Sequence, residues 1–269
     1  MASEVLFHPD GDWFVPTALA GSPWHPALLH GGAPAGLLAH CLEQSVADPH
    51  LQPTRLTIDL IRPVPNAPLS VVLRRIRAGK RILLEEAQLQ ADGKTVAIAT
   101  GLFVMPQAVT VPDHAPARAP LTPPPQQLEE VSFSDVLFAN SGNMPPGLHT
   151  TISLRPISTL NESGRGLAWL SLPVPIVEGR MNSPFMRAAL AADFSNGVGQ
   201  LSLGNNLGMI NADITLQLFR LPQGEWIGLD ATTLVQPNGL GVVTADLHDS
   251  QGLCGLVSQT AMPMAEFTR

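Results

Sequence analysis

The chain has 269 residues, 45% of them apolar and only 14% charged, which is ample for a buried core and excludes global disorder. Its net charge of −7 and pI near 5.5 argue against a nucleic-acid surface, because phosphate binding needs clustered Lys and Arg. No stretch approaches the length of a membrane span, and MASEVLFHPDGDW has no apolar signal core, so a cytoplasmic protein is expected. The two cysteines, Cys41 and Cys254, lie in apolar surroundings and read as buried free thiols of a reducing compartment.

In chain order, two short strands are expected around Ser3–Phe7 and Trp13–Leu19. His30-Gly31-Gly32 then leads into a helix whose Leu37, Leu38, Cys41 and Leu42 recur at helical spacing. A strand follows in which Leu56, Ile58 and Leu60 alternate with Thr57, Asp59 and Ile61. Two longer strand-like stretches, an Asp92-Gly93 turn and a final apolar strand complete this half. The one basic cluster (Arg74, Arg75, Arg77, Lys80, Arg81) reads as a solvated edge guarding against aggregation or as a phosphate contact. Seven prolines between Pro106 and Pro125 mark an extended linker.

The second half has expected strands at 148–155 and 166–173. Ser183-Pro184 is a good N-cap and first-position pair, opening a helix through Phe185, Met186, Ala189, Leu190 and Phe194, with Asn196-Gly197 as its stop. In the next strand Ala212, Ile214, Leu216 and Leu218 alternate with Asn211, Asp213, Thr215 and Gln217, which places Asn211 and Thr215 on one wetter face. The two halves repeat each other: Arg62 to Arg220 is 158 positions and Gly93 to Gly252 is 159. Each half is therefore α+β, strand-rich, with one dominant helix, giving a first unit at 1–105, a linker at 106–128 and a second unit at 129–269.

Several residues carry chemistry. Asp193 sits in a helix's last turn, where the macrodipole disfavours negative charge, so capping does not explain it. Ala192 and Phe194 beside it would desolvate the carboxylate. Gln259 is polar in an otherwise apolar terminal strand, and its counterpart in the first half lies near Thr100. Gly31 and Gly32 offer free backbone N–H groups to a carbonyl or phosphate, or simply a tight turn against the sheet. His30 reads as a turn or pocket-wall residue rather than a base. No histidines stand at metal-ligand spacing with a carboxylate, there is no GxSxG elbow, and Cys41 on an apolar helix face reads as inert.

The His30-Gly31-Gly32 lead-in, AADFSNG at 191–197, FRLPQGEW at 219–226 and LVSQT at 256–260, in this order across a duplicated body, resemble the acyl-CoA thioesterase II family. The resemblance implies a double hotdog, in which a curved antiparallel sheet wraps a long helix in each unit. It also implies one active site per chain, built from an Asp matching Asp193, a Gln matching Gln259 and a Thr whose place is taken here by Asn211. Asp193 would deprotonate a water fixed by Gln259 and Asn211. Gly31 and Gly32 would meet the substrate carbonyl, with His30 in the pocket wall and Thr215 as a reserve hydroxyl. An acyl-CoA substrate, no metal or redox cofactor, and a homodimer of double hotdogs follow from it. The alternative is a non-catalytic acyl-CoA or acyl-ligand binding protein. A hydratase would be expected to carry Asp and His on one loop–helix segment, and neither helix shows that pair.

Overall fold

The computed structural model describes residues 4–137, 145–204 and 207–265. The first half contains β1 (Phe7–Asp10), β2 (Trp13–Pro16), α1 (Gly32–Val46), β3 (Gln52–Leu60), β4 (Leu69–Ala78), β5 (Ile82–Ala91) and β6 (Lys94–Val104). After the proline-rich segment come β7 (Val131–Ser132), α2 (Phe133–Leu137), α3 (Leu148–Thr151), β8 (Ser153–Pro156) and β9 (Arg165–Ser171). The chain closes with α4 (Pro184–Asp193), α5 (Ser195–Val198), β10 (Leu207–Asn211), β11 (Asp213–Leu218), β12 (Ile227–Val235), β13 (Gly241–Asp249) and β14 (Gly252–Ala265).

One continuous antiparallel sheet runs β1-β2-β4-β5-β6-β3-β11-β14-β13-β12-β9-β8-β7, with β10 pairing β14. The halves join where β3 pairs β11, with Thr57 opposite Thr215. A pseudo-dyad through that pair maps residue 57 onto 215, an offset of 215 − 57 = 158, the same as between Arg62 and Arg220. The repeat seen in the sequence is therefore the symmetry of the sheet.

Both main helices pack on the inner face of this sheet and on each other. Helix α1 is buried all round from Gly32 to Leu42, as an apolar helix must be when sheet covers one side and a second helix the other. A Cβ at Gly36 would lie 2.7 Å from Ile176 Cδ1, so glycine allows that close approach. Helix α4 starts as its sequence dictates: Ser183 Oγ accepts the Met186 N–H at 3.1 Å, and Pro184 takes the first position. It ends at Asp193 and is shorter than α1. The chain turns at Phe194 and makes a further helical turn through Val198, so the stop lies at Gly199 rather than at Asn196-Gly197.

Other boundaries shift for local reasons. Ser3 lies outside the described residues, and the first strand begins at Phe7. The second ends at Pro16, because the Thr17 hydroxyl caps a 3-10 turn over Ala18–Ala20. The stretch 148–155 opens with a helical turn, since the Thr150 and Thr151 hydroxyls both donate to Gly147 O, and only then extends. Asp92 (φ 47°) and Gly93 (φ 68°) form the two-residue hairpin turn that positive φ at both positions permits. The proline-rich segment lies along the second half: Trp169 Nε1 donates to Pro123 O at 3.0 Å, and Arg118 pairs with Asp246. β2 covers only Leu69 and Ser70 of β4, leaving the arginine-bearing remainder as a free edge. There Arg74 and Arg75 pair across to Glu86 and Glu85.

Candidate active site

A cavity of about 730 Å³ opens between the halves, where the loop before α1 meets the end of α4. Apolar side chains dominate its wall, among them Trp24, Leu60, Phe133, Phe194, Met209 and Met262. Among its polar groups, His30, Gly31, Asp193 and Asn211 converge on one another.

Asp193 is the centre of that group. Its residue is only 7% exposed, yet both carboxylate oxygens have protein partners. Asn211 Nδ2 donates to Oδ1 at 3.1 Å, and His30 Nδ1 lies 3.0 Å from Oδ2. Gly31 completes the enclosure with backbone alone: a Cβ there would lie 2.5 Å from Asp193 Oδ1, so any side chain would displace the carboxylate. The His30 ring stacks on Phe194, with centroids 4.6 Å apart and planes at 17°.

Asn211 reaches Asp193 because of a bulge. Asn211 pairs with Ala261 and Thr215 with Ser258, so four steps on one strand match three on the other. The extra residue, Ala212, reverses the alternation. Asn211 therefore turns inward with Ile214 and Leu216, not outward with Asp213 and Thr215 as the alternation suggests. Thr215 stays on the outer face beside Thr57 and does not line the cavity, so the structure does not bring this reserve hydroxyl to the site. Its reading rested on the unbroken alternation that the bulge removes.

Gln259 is 1% exposed and lies behind Asp193 rather than in the cavity wall. Its Nε2 donates to Ala192 O at 2.9 Å and Asp193 O at 3.4 Å, satisfying carbonyls that the helix end leaves open. Its Oε1 is buried without a partner among the described residues. Gly32 sits in the first turn of α1, packed against Leu148 and Phe194, with its N–H 3.2 Å from His30 Nδ1. That nitrogen faces a donor and a carboxylate at once. With Asp193 ionised, Nδ1 must carry the proton and donate to Oδ2, while the Gly32 N–H, outside the cavity lining, stays directed at the same ring. His149, fully buried on α3, has its pKa pulled down to about 4, by burial first and then by His30, and so stays neutral.

The partnership of His30 with Asp193 is the feature that the sequence did not reveal. The two stand in different halves, and no local spacing links them. The available signal was a histidine directly before the glycine pair that opens α1, in a chain whose other half supplies the acid.

Residues 20–104 match the acyl-CoA thioesterase N-terminal domain, and residues 116–262 match the acyl-CoA thioesterase C-terminal domain. The chain belongs to the acyl-CoA thioesterase family. No curated protein matches the sequence. Among solved structures, it is similar to a conserved protein of unknown function with a hotdog fold from Alicyclobacillus acidocaldarius (18% identity, 96% of each chain, TM-score 0.71). It is also similar to the acyl-CoA thioesterase II TesB2 of Mycobacterium marinum (17% identity, 87% of this chain and 90% of that one, TM-score 0.63). A third is the tesB protein of Mycobacterium avium subs paratuberculosis (16% identity, 96% of each chain, TM-score 0.63). This acyl-CoA thioesterase family member is thus a double hotdog, its two units joined edge to edge. Among the described residues, no helix is long and apolar enough to cross a membrane.

Proposed function

We propose that this chain hydrolyses an acyl-CoA thioester to the free acid and CoA by direct attack of water. The observation that carries this reading is Asp193: a nearly buried carboxylate in the wall of a largely apolar cavity, held on both oxygens by Asn211 and His30. A thioester carbonyl is already electrophilic, so the protein need only place a water, supply the charge that draws off its proton and stabilise the oxyanion. Asp193 would supply that charge. Asn211 and Gln259 would fix the water, since a buried Oε1 without a protein partner is costly unless a water donates to it. Gly31 and Gly32 at the start of α1 would polarise the carbonyl. The acyl chain would lie along Leu60, Val64, Phe133 and Met209. No metal enters this scheme, and a homodimer of double hotdogs in the cytoplasm completes the proposal.

The test is a hydrolysis screen against acyl-CoAs from acetyl to palmitoyl and one aromatic acyl-CoA, reading free thiol. Turnover that falls about 10²–10⁴-fold in Asp193→Ala supports the reading. Acyl-CoA that raises the melting temperature without being turned over would replace it with a binding protein.

A further inference from the structure

We propose that His30 is the proton acceptor of this site and that Asp193 activates the water through it. The inference rests on the hydrolytic reading above and deepens it. It starts from the contact between His30 Nδ1 and Asp193 Oδ2 at 3.0 Å, with side-chain exposures of 14% and 6%. A carboxylate on one ring nitrogen fixes the tautomer: Nδ1 carries the proton and Nε2 keeps its lone pair. Nε2 has no protein partner among the described residues, and the ring lines the cavity. Stacking on Phe194 and the absence of a side chain at Gly31 hold the pair in register.

An imidazole titrates about two to three units closer to neutrality than a carboxylate, so it is the stronger base of such a pair. The charged and titratable groups facing His30 are few. Asp193 is in contact from α4, His149 on α3 stays neutral, and Arg62 and Glu162 stand farther along the cavity wall. Asp193 is thus placed to stabilise the imidazolium as it forms.

The steps balance. Water oxygen bonds to the thioester carbon while one water proton passes to Nε2. The carbonyl electron pair moves to oxygen, where a backbone N–H at the start of α1, such as that of the cavity-lining Gly31, can donate to it. When the intermediate collapses, the C–S bond breaks, and Nε2 returns its proton to the departing sulfur, giving acid and free thiol.

The test compares the wild type with His30→Gln, which keeps a polar side chain but cannot take the proton, and with His30→Ala. Expected are a loss in kcat of about 10²–10⁴-fold in His30→Gln with KM within about threefold, and partial recovery of His30→Ala by added imidazole. The wild-type kcat/KM should rise with pH to a plateau, as a general base requires, and His30→Gln should lose that rise. A His30→Gln enzyme within about threefold of wild-type kcat, with the rise intact, overturns the proposal. A wild type inactive on every acyl-CoA would defeat the hydrolytic reading instead. The dyad is then read by proton NMR of the wild type and Asp193→Asn. A far-downfield Nδ1–H resonance lost in the variant supports the dyad, and its absence from the wild type refutes it.

Discussion

The two halves share a plan and differ where chemistry would occur. Applying the 158-residue offset, Gln259 corresponds to Gly101 and Asn211 to Pro53. Cys41 stands as far past the N-cap Gly31 as Asp193 stands past the N-cap Ser183. Even the bulge is repeated, with Thr54 as the extra residue in β3 where Ala212 is the extra residue beside β14. In the first half every polar candidate is replaced. Cys41 is a buried thiol pushed up to about 12 by burial, and Pro53 is buried. Gly101 leaves room that Phe103 and Leu42 fill. The lesson is that duplication supplied a scaffold with two equivalent corners, and side-chain replacement made one of them a site and the other core. A trace survives in the silent corner. Glu43, held above its usual range by burial and eased by the Ser183 hydroxyl, meets the start of α4 much as Asp193 meets the start of α1.

The largest contrast should come from the helix pair. Asp193→Ala is expected to cut thioester turnover about 10²–10⁴-fold, whereas Cys41→Ala should leave kcat within about twofold. Steady-state assays of the two purified variants against one acyl-CoA decide whether the asymmetry is catalytic.

The repeated arginines come next. Arg220 clasps Asp249, which is fully buried, and donates to Gly252 O at 2.9 Å; the Gln223 and Gln251 N–H groups complete the carboxylate's shell. Burial alone would raise the Asp249 pKa, but Arg220 and the two amides outweigh it and lower it. Arg220→Ala should therefore cost about 3–5 kcal/mol in denaturant unfolding, because it strands a buried charge. Arg62, exposed and bonded to Thr95 O, should cost within about 0.5 kcal/mol when truncated. The sign with pH follows from the lowered carboxyl. Its stabilising share is complete above the unfolded carboxylate range and is lost as pH falls through the folded value. The gap between wild type and Arg220→Ala should thus close on acidification, and a gap that widens would refute the assignment.

Asn211→Ala removes one hydrogen bond to a charged group. About 1.5–3 kcal/mol of that kind corresponds to a loss of roughly 10–150-fold in kcat/KM, while Pro53→Ala should leave kcat/KM unchanged. The smallest effect on turnover is expected at Gly101→Ala. Its Cβ would lie 2.9 Å from Phe103 Cε2, costing about 1–3 kcal/mol of stability with turnover per folded molecule intact.

Much of this is legible in the amino-acid sequence alone. The offset between Arg62 and Arg220 gave the pseudo-dyad, because an insertion in a paired strand would have broken the register. Ser183-Pro184 gave the start of α4, because capping is a local matter. Asp193 stood out because a carboxylate is misplaced in a helix's last turn. The rest depended on contacts between distant parts of the chain. The pairing of His30 with Asp193 has no periodic signature, and the bulge at Ala212 is invisible to a reading that assumes strict alternation. The same assumption set Thr215 beside Asn211, though they lie on opposite faces of the sheet.

That inserted residue has a consequence for how such a site could arise or vanish. In a strand, each position belongs to one of two phases, and substitution changes what a side chain is but not which way it points. Deleting Ala212 would leave Asn211 opposite Ala261 and still facing inward, because the alternation would then run unbroken from Asp213 into β10. Keeping Ala212 but letting β10 slip by one residue along β14 would instead smooth the bulge and reverse the phase of β10. Asn211 would be carried out of the cavity and its neighbour Ile210 turned toward Asp193, with no residue altered. A lineage could silence this corner by a change of register alone, and an inventory of site residues would miss the change.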